Sequence, residues 1–138
     1  MTISIPEKAQ DLLTGPVVVA FATVMPDGTP QVTPVWCSYD GEYVLLTSTR
    51  GRQKEKNVLA RPQVTILAID PQDPYRWLEV RGVVVEVTEE GAIAHIDEMA
   101  RLYEGAKKFY GDVAPAERGE REIRIMFKIK PTRVNTHS

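Results

Sequence analysis

Short runs of β-branched and apolar residues, each closed by a turn signal, dominate the first half of this 138-residue chain. The run 17–24 is followed by Met25-Pro-Asp-Gly-Thr-Pro30, and an extended stretch over 31–38 ends at Tyr39-Asp40-Gly41-Glu42. Proline, aspartate and glycine at these positions favour tight reversals between antiparallel strands. The pattern therefore predicts a β-meander whose third strand covers 43–48.

The remainder of the chain adds strands and a few helices. Apolar spacing and helix-forming composition predict helices over 5–13, 51–59 and 91–103. Further strands are predicted over 63–69, 77–87 and 123–129, with a loop containing a helical turn over 104–119 and the tail from 131 returning to an edge. Six strands joined mostly by hairpins predict a mainly β protein, a small antiparallel barrel with peripheral helices that forms a single domain over 1–138.

Composition narrows the classes of function. Hydrophobic residues make up 43% and charged residues 26% of the chain, values typical of a soluble globular protein. The net charge of −2 gives no electrostatic support for nucleic-acid binding, and no apolar run is long enough to span a membrane, so a cytoplasmic protein is predicted. A single cysteine and two isolated histidines predict neither an intramolecular disulfide nor a metal site.

The densest cluster of polar residues lies over 47–57. Three hydroxyl residues, Thr47, Ser48 and Thr49, lead through Gly51 into a predicted helix that carries several cations. Hydroxyls, helix N-terminal amides and cationic side chains together suit a phosphate group. The alternative is a solvated basic helix with no ligand, because the glycine matches no standard phosphate-loop spacing.

A second feature is the stretch 31–37, which places Pro34 and Trp36 inside an otherwise strand-like pattern. Proline in a strand predicts an edge, a bulge or a break in pairing. Backbone groups released by a break could bind the polar edge of a planar heterocycle, although Trp36 filling the core is an equal alternative. Cys37, with no neighbouring histidine, is interpreted as a small buried hydrophobic residue.

A third feature, Asp73-Pro-Tyr-Arg-Trp-Leu-Glu-Val-Arg-Gly82, sets two aromatic residues around an arginine just before a strand. Such a segment could stack on a ring or form the rim of a dimer interface, where these residue types are enriched. His95 lies on the apolar stripe of a predicted helix and is interpreted as a structural or surface residue. Paired carboxylates or a nucleophile motif that would indicate a hydrolase are absent from the sequence.

These three features, in the order DGTPQVTPVW, YDGEYVLLTSTRGRQKEKNVLARPQVTI and DPYRWLEVRGVV, resemble one family. It is the split β-barrel flavin and deazaflavin oxidoreductases, in the superfamily that includes pyridoxamine phosphate oxidase. The resemblance covers about residues 5 to 130 and is strongest to the branch that binds coenzyme F420. It implies a six-stranded antiparallel split barrel and a homodimer with two cofactor sites at the subunit interface.

The resemblance also assigns candidate site residues. The phosphate would be held by Arg52 and Lys54, with Lys56 a further candidate, beside Thr47, Ser48, Thr49, Gln53 and Asn57. The ring system would face Gln31, Thr33, Pro34, Val35 and Trp36, and the partner subunit would contribute Tyr75, Arg76, Trp77 and Leu78.

The function that the resemblance implies is hydride transfer between reduced F420 and an electron-poor small acceptor such as an enone or a quinone. No protein side chain is expected to act as a catalytic acid, because such chemistry belongs mainly to the cofactor. An FMN-binding oxidoreductase of the same fold and a non-catalytic cofactor- or ligand-binding protein are the alternatives.

Overall fold

The computed structural model describes residues 3–138. Seven strands form the body of the molecule: β1 Val19–Val24, β2 Pro30–Val35, β3 Ser38–Tyr39, β4 Val44–Thr49, β5 Gln63–Ile69, β6 Trp77–Thr88 and β7 Arg124–His137. Four α-helices lie around them: α1 Asp11–Thr14, α2 Gln53–Ala60, α3 Ala92–Glu104 and α4 Ala116–Arg121. The prediction of a mainly β fold with peripheral helices is confirmed.

All seven strands belong to one antiparallel sheet with the order β2-β1-β5-β6-β7-β4-β3. Strands β2 and β3 are consecutive in the chain but lie at opposite edges of the sheet. Only Trp36 and Cys37 separate them. Because two residues span only about 10 Å even when extended, the sheet must curl until its edges approach each other. The result is a half-open barrel with a split between those edges.

Alternation of buried and less buried residues along β1, β5 and the first half of β7 sets the two faces of the sheet. Val19 and Phe21 on β1 and Ile125, Phe127 and Ile129 on β7 point inward and are at most 1% exposed. Phe21 and Phe127 face each other across the core with ring centroids 6.1 Å apart. This two-residue period is what places the intervening side chains on the outer face of the sheet.

Several element boundaries differ from the sequence predictions. The predicted strand 31–38 is divided into β2 and β3 at Trp36-Cys37, which raises the strand number from six to seven. The predicted helix 5–13 is a 3-10 turn over Glu7–Ala9 followed by the single turn of α1, because so short a segment gains little from helical hydrogen bonds alone. The predicted loop 104–119 contains the start of α4, and the tail continues β7 along β6.

The long pairing of β6 with β7 supplies much of the curvature. Its register shifts between Arg81 and Gly82 and again between Val84 and Glu86. Such bulges bend a strand and increase its twist. Gly82 lies at the first shift, where a Cβ atom would come within 2.5 Å of the Lys130 carbonyl oxygen and 2.9 Å of the Ile129 side chain. A glycine is therefore required by close packing at this crossing rather than by its backbone angles.

We expect Gly82→Ala to lower the free energy of unfolding by about 1–3 kcal/mol, because the added methyl group has to displace the backbone of β7. Urea denaturation followed by circular dichroism measures the change. Arg81→Ala is the matched control, since Arg81 is exposed and its ion pair with Glu79 is partly in solvent. Equal stability of the Gly82→Ala variant and the parent would contradict the close approach.

Candidate cofactor site

A cleft of about 400 Å³ opens beside the split in the barrel. One part of its wall is polar and cationic, and it consists of Thr47, Ser48, Thr49, Arg52, Lys54 and Arg124. The other part is apolar or aromatic, and it consists of Val18, Pro34, Val35, Trp36, Ile96 and Phe109. None of these twelve lining residues carries a carboxylate. The cleft is therefore suited to a ligand that carries both an anionic group and a flat apolar group.

Three cations come from different elements and are held by neighbouring hydroxyls. Lys54, in the first turn of α2, donates from Nζ to Thr33 Oγ1 at 3.0 Å. Arg52, immediately before that helix, donates from Nε to Thr49 Oγ1. Arg124, at the start of β7, donates from Nη2 to Thr47 Oγ1 at 2.7 Å. The pairing of β4 with β7, which sets Thr49 opposite Arg124, brings the third cation to the other two.

The electrostatic state of Lys54 reflects this crowding. Burial lowers its pKa, and the positive charges of Arg52 and Arg124 lower it further. The folded protein therefore holds the Lys54 proton less tightly than the unfolded chain does. Folding is less favourable at any pH at which Lys54 is protonated in the folded state. A bound anion would raise the pKa of Lys54 again, because its negative charge would stabilise all three cations.

The turn between β4 and α2 is held in place by a buried carboxylate. Glu55, only 4% exposed, accepts hydrogen bonds from the Gly51 amide at 2.7 Å and from Arg50 Nη1 at 2.9 Å. Gly51 takes a positive φ of 93°, which favours glycine. Arg50 also pairs with Glu89 and does not line the cleft. The turn thus directs Arg52 and Lys54 toward the cleft and Arg50 away from it.

Aromatic rings build the opposite wall. Trp36 stacks on Tyr103 with ring centroids 5.0 Å apart, and the edge of Phe109 meets it at 6.2 Å. The Arg124 guanidinium lies 5.3 Å from the centre of the Phe109 ring. Stacked and edge-to-face contacts of this kind hold a flat surface in place. Trp36 is therefore part of the cleft wall and not only a core residue.

The break between β2 and β3 is partly closed by Tyr103. The Tyr103 hydroxyl donates to the Val17 carbonyl at 2.8 Å and accepts from the Cys37 amide at 3.3 Å. The Cys37 amide, which the break releases from the ladder, is thus already bonded within the protein. The Cys37 side chain is fully buried, and burial raises the pKa of its thiol to about 12, as expected for a small hydrophobic residue.

With this geometry in view, comparisons with known proteins identify the family. Residues 5–138 match the family described as pyridoxamine 5′-phosphate oxidase. The chain belongs to this family. Among curated proteins, none matches the sequence.

Solved structures of the oxidase family and its relatives carry the same fold. A structure named F420 reductase has 36% sequence identity and a TM-score of 0.80, with 95% of this chain and 98% of that chain covered. The conserved hypothetical protein Rv2991 from Mycobacterium tuberculosis has 23% identity and a TM-score of 0.75 over 99% and 86% of the two chains. HutZ, the haem storage protein from Vibrio cholerae, has 17% identity and a TM-score of 0.60 over 87% and 85%, which shows a common fold alone.

These matches confirm the resemblance drawn from the three sequence motifs. They support an oxidoreductase of the split-barrel fold and a flavin-like cofactor for this member of the oxidase family. In residues 3–138, no helix is long and apolar enough to cross a membrane. Within the same range, no group of three or more histidine, cysteine or acidic residues is arranged to hold a metal ion.

Some residues predicted to bind the cofactor lie under α2 in this oxidase-family protein. Asn57 is fully buried, and its Nδ2 donates to Thr23 Oγ1 at 2.9 Å and to Gln31 Oε1 at 3.3 Å. Gln53 donates to Asn57 Oδ1 at 2.8 Å. This network ties α2 to the β1–β2 hairpin. Gln31, Gln53 and Asn57 do not line the cleft, and Thr33 reaches it through its bond to Lys54.

The segment predicted to come from the partner subunit lies away from the cleft of its own chain. Tyr75 is 77% exposed, whereas Leu78 is fully buried in the core. Arg76 is held by ion pairs to Asp11 and, at 3.0 Å, to Asp70. Trp77 stacks on His137 with centroids 5.9 Å apart. In a single chain, therefore, these four residues are not part of the site that Arg52, Lys54 and Trp36 share.

Sequence reasoning missed four of the lining residues: Val18, Ile96, Phe109 and Arg124. Arg124 stands in an alternating strand whose inward residues begin at Ile125, so the pattern does place it on the outer face. Only the pairing with β4 shows what it faces there. His95, next to Ile96, is buried and bonded through Nε2 to Ser38 Oγ at 2.8 Å, and it does not line the cleft.

We expect Arg124→Ala to raise the pKa of Lys54, because the substitution removes a like charge. The ¹³Cε chemical shift of Lys54 during a pH titration measures it, assigned by the signal missing from Lys54→Arg. In the parent, the midpoint should lie below the ordinary 10.5. Arg101→Ala, on the exposed surface of α3, is the charge-matched control. A parent midpoint at or above 10.5 would refute the crowded arrangement of cations.

Proposed function

We propose that the protein is an F420-dependent oxidoreductase that transfers a hydride between the deazaflavin and an electron-poor small molecule such as an enone or a quinone. One observation carries the proposal: three cations and three buried hydroxyl residues line the same cleft as two aromatic rings, and one of the cations, Arg124, lies over the Phe109 ring. Charge-assisted hydrogen bonds from arginine and lysine suit a phosphate, and the aromatic wall suits a tricyclic ring. The structure named F420 reductase supports the deazaflavin over FMN.

The residues of the chain fit the two parts of such a cofactor. Arg52, Lys54 and Arg124 would hold the phosphate, with the Thr47, Ser48 and Thr49 hydroxyls beside them. Trp36 and Phe109 would contact the ring system and keep water from it. The bound cofactor would supply the hydride, whereas the chain orients the reactants and provides the surrounding charge.

None of the twelve lining residues is a histidine, cysteine, tyrosine or carboxylic acid, and the one lysine among them, Lys54, is assigned to the phosphate. Burial lowers the pKa of His95, which lies outside the lining. Burial raises the pKa of the Tyr103 hydroxyl and of the Cys37 thiol to about 12, so neither group releases its proton readily. We infer that a proton needed by the product would come from solvent.

We further propose a homodimer that completes the site. Aliphatic and aromatic side chains from β1, β2, β5 and β6 form an apolar outer face, which comprises Val18, Ala20, Val32, Leu67, Ile69 and Trp77. Val18, Val32 and Ile69 are 55%, 59% and 46% exposed in the single chain. The face is continuous with the cleft, because Val18 and Pro34 line both. A second copy on this face would bring its own Tyr75–Leu78 segment toward the cleft.

The cofactor proposal is tested by equilibrium titration with F420 and with FMN. We expect tighter binding of F420 by the parent, and about ten- to a hundredfold weaker binding by Lys54→Ala, since a charge-assisted contact contributes about 1.5–3 kcal/mol. Lys56→Ala is the matched control, because Lys56 is exposed on the same helix and does not line the cleft.

The outcomes separate the candidate functions. Comparable or tighter binding of FMN would make the protein an FMN-binding oxidoreductase of the same fold. Equal losses in Lys54→Ala and Lys56→Ala would mean that only the general charge of α2 matters. No binding of either cofactor would leave a protein of this fold with another ligand.

The dimer is tested with Val32→Arg, which places a charge in the middle of the apolar outer face. Light scattering should give the parent about twice the chain mass of 15.5 kDa, and the variant a mass near that of one chain. Leu59→Arg is the control, because Leu59 is 65% exposed on α2 and away from this face. A parent monomer at micromolar concentration would overturn both the dimer and the shared site.

A further inference from the structure

A carboxylate outside the cleft lining, that of Glu122, contacts one of the three cleft cations, Arg52. Glu122 Oε2 lies 3.8 Å from Arg52 Nη2. Arg52 lines the cleft and also a neighbouring cavity of about 400 Å³, whose wall includes Arg121, Glu122 and Ile123. Its guanidinium therefore lies between two regions, one without carboxylates and one that contains Glu122.

Glu122 is well satisfied without Arg52. Its carboxylate accepts from the Tyr110 hydroxyl at 2.8 Å and from Arg118 Nη2 at 3.2 Å. Burial alone would raise the pKa of Glu122, but the hydrogen bonds from Tyr110 and Arg118 outweigh it and the pKa is lowered. Glu122 is therefore ionised at neutral pH, and its charge reaches two of the cleft cations: Arg52, in contact at 3.8 Å, and Arg124, whose positive charge also lowers the pKa of Glu122.

The Arg52 guanidinium is held through one of its nitrogens, Nε, and its two terminal nitrogens are less constrained. Nε donates to Thr49 Oγ1, whereas the terminal nitrogens have only the long contact with Glu122, and the side chain is 54% exposed. An anion in the cleft would bind these same terminal nitrogens. The ligand and Glu122 thus compete for one guanidinium.

We propose that Glu122 is a positioning residue that limits the affinity of the cleft for anions by attracting Arg52 toward itself. The inference rests on the proposed phosphate site and adds a residue that sets its strength. A purely structural role is the other reading, in which Glu122 only fastens Tyr110 and the loop that carries Phe109.

The experiment titrates inorganic phosphate into the full-length protein and follows amide chemical shifts by NMR. Glu122→Gln keeps an oxygen that accepts from Tyr110 but removes the charge. It should bind phosphate about two- to fivefold more tightly than Glu117→Gln, a control with the same charge change on an exposed residue of α4. Glu122→Asp, which draws the carboxylate back by one methylene, should give a smaller gain.

A double-mutant cycle with Arg52→Ala separates competition from a structural role. The gain from Glu122→Gln should shrink in the Arg52→Ala background to the part that acts through Arg124, whereas loosening of the loop would give the same gain in both backgrounds. Thermal unfolding checks that each variant is folded.

Three results would count against the inference. Affinity in Glu122→Gln equal to or weaker than in Glu117→Gln overturns it, and so does a gain that is undiminished without Arg52. If Lys54→Ala still weakens phosphate binding in those cases, the proposed phosphate site stands and only the role of Glu122 fails. Absence of phosphate binding by the parent and by every variant overturns both.

Discussion

A link of two residues joins the strands at opposite edges of the sheet, and much of the molecule follows from it. Trp36 and Cys37 have to bring β2 next to β3, so the seven-stranded sheet cannot lie open. Twist and the bulges in β6 and β7 provide the necessary curvature. The ladder cannot continue across the join, and Tyr103 from α3 bonds the backbone there. The same link that closes the barrel thus places Trp36 beside the cleft.

The cleft forms where the two edges of the curled sheet approach each other. It therefore combines residues that are far apart in the chain. Thr47 to Thr49 end β4, Arg52 and Lys54 begin α2, and Arg124 begins β7. Taken alone, Arg52, Lys54 and Arg124 would each be an ordinary cation of a β protein. Together they concentrate three positive charges around buried hydroxyls. Burial and the like charges of Arg52 and Arg124 both lower the pKa of Lys54, so holding it charged in this place opposes folding.

How much of this could be predicted from the sequence depended on the range of the interactions. Strand alternation and turn residues are local, so the meander and the antiparallel fold were predictable from them. The basic turn after β4 was also predictable, because its residues are contiguous. The full length of β7 was harder to predict, because Pro131 cannot donate a ladder hydrogen bond. In the structure Pro131 lies opposite Gly82, at a bulge that accommodates a residue without an amide hydrogen. The family resemblance indicated the cofactor, which no local pattern could have done.

The sequence analysis missed some of the cleft-lining residues for a physical reason. Arg124 becomes a site residue only through the register of β7 against β4, and Phe109 only through the way the loop after α3 returns over Trp36. Conversely, Asn57 stands in the basic segment but is turned inward, because helical periodicity directs it beneath α2 toward Thr23 and Gln31. Sequence proximity indicated the segment next to the cleft, and helix geometry decided which of its members face the cleft.

The two kinds of acidic residue around the cationic turn show how its charge is controlled. Glu55 is buried, bonds the Gly51 amide and pairs with Arg50, so it neutralises the one arginine that is not needed in the cleft. Glu122 stands on the far side and pairs mainly with Arg118 and Tyr110. Both carboxylates therefore stabilise the structure around the turn between β4 and α2, and neither of them lies on the cleft wall. An anionic ligand entering the cleft finds Lys54 and Arg124 already oriented by hydroxyls, so ordering these two costs little of its binding free energy, whereas the terminal nitrogens of Arg52 have to be drawn away from Glu122.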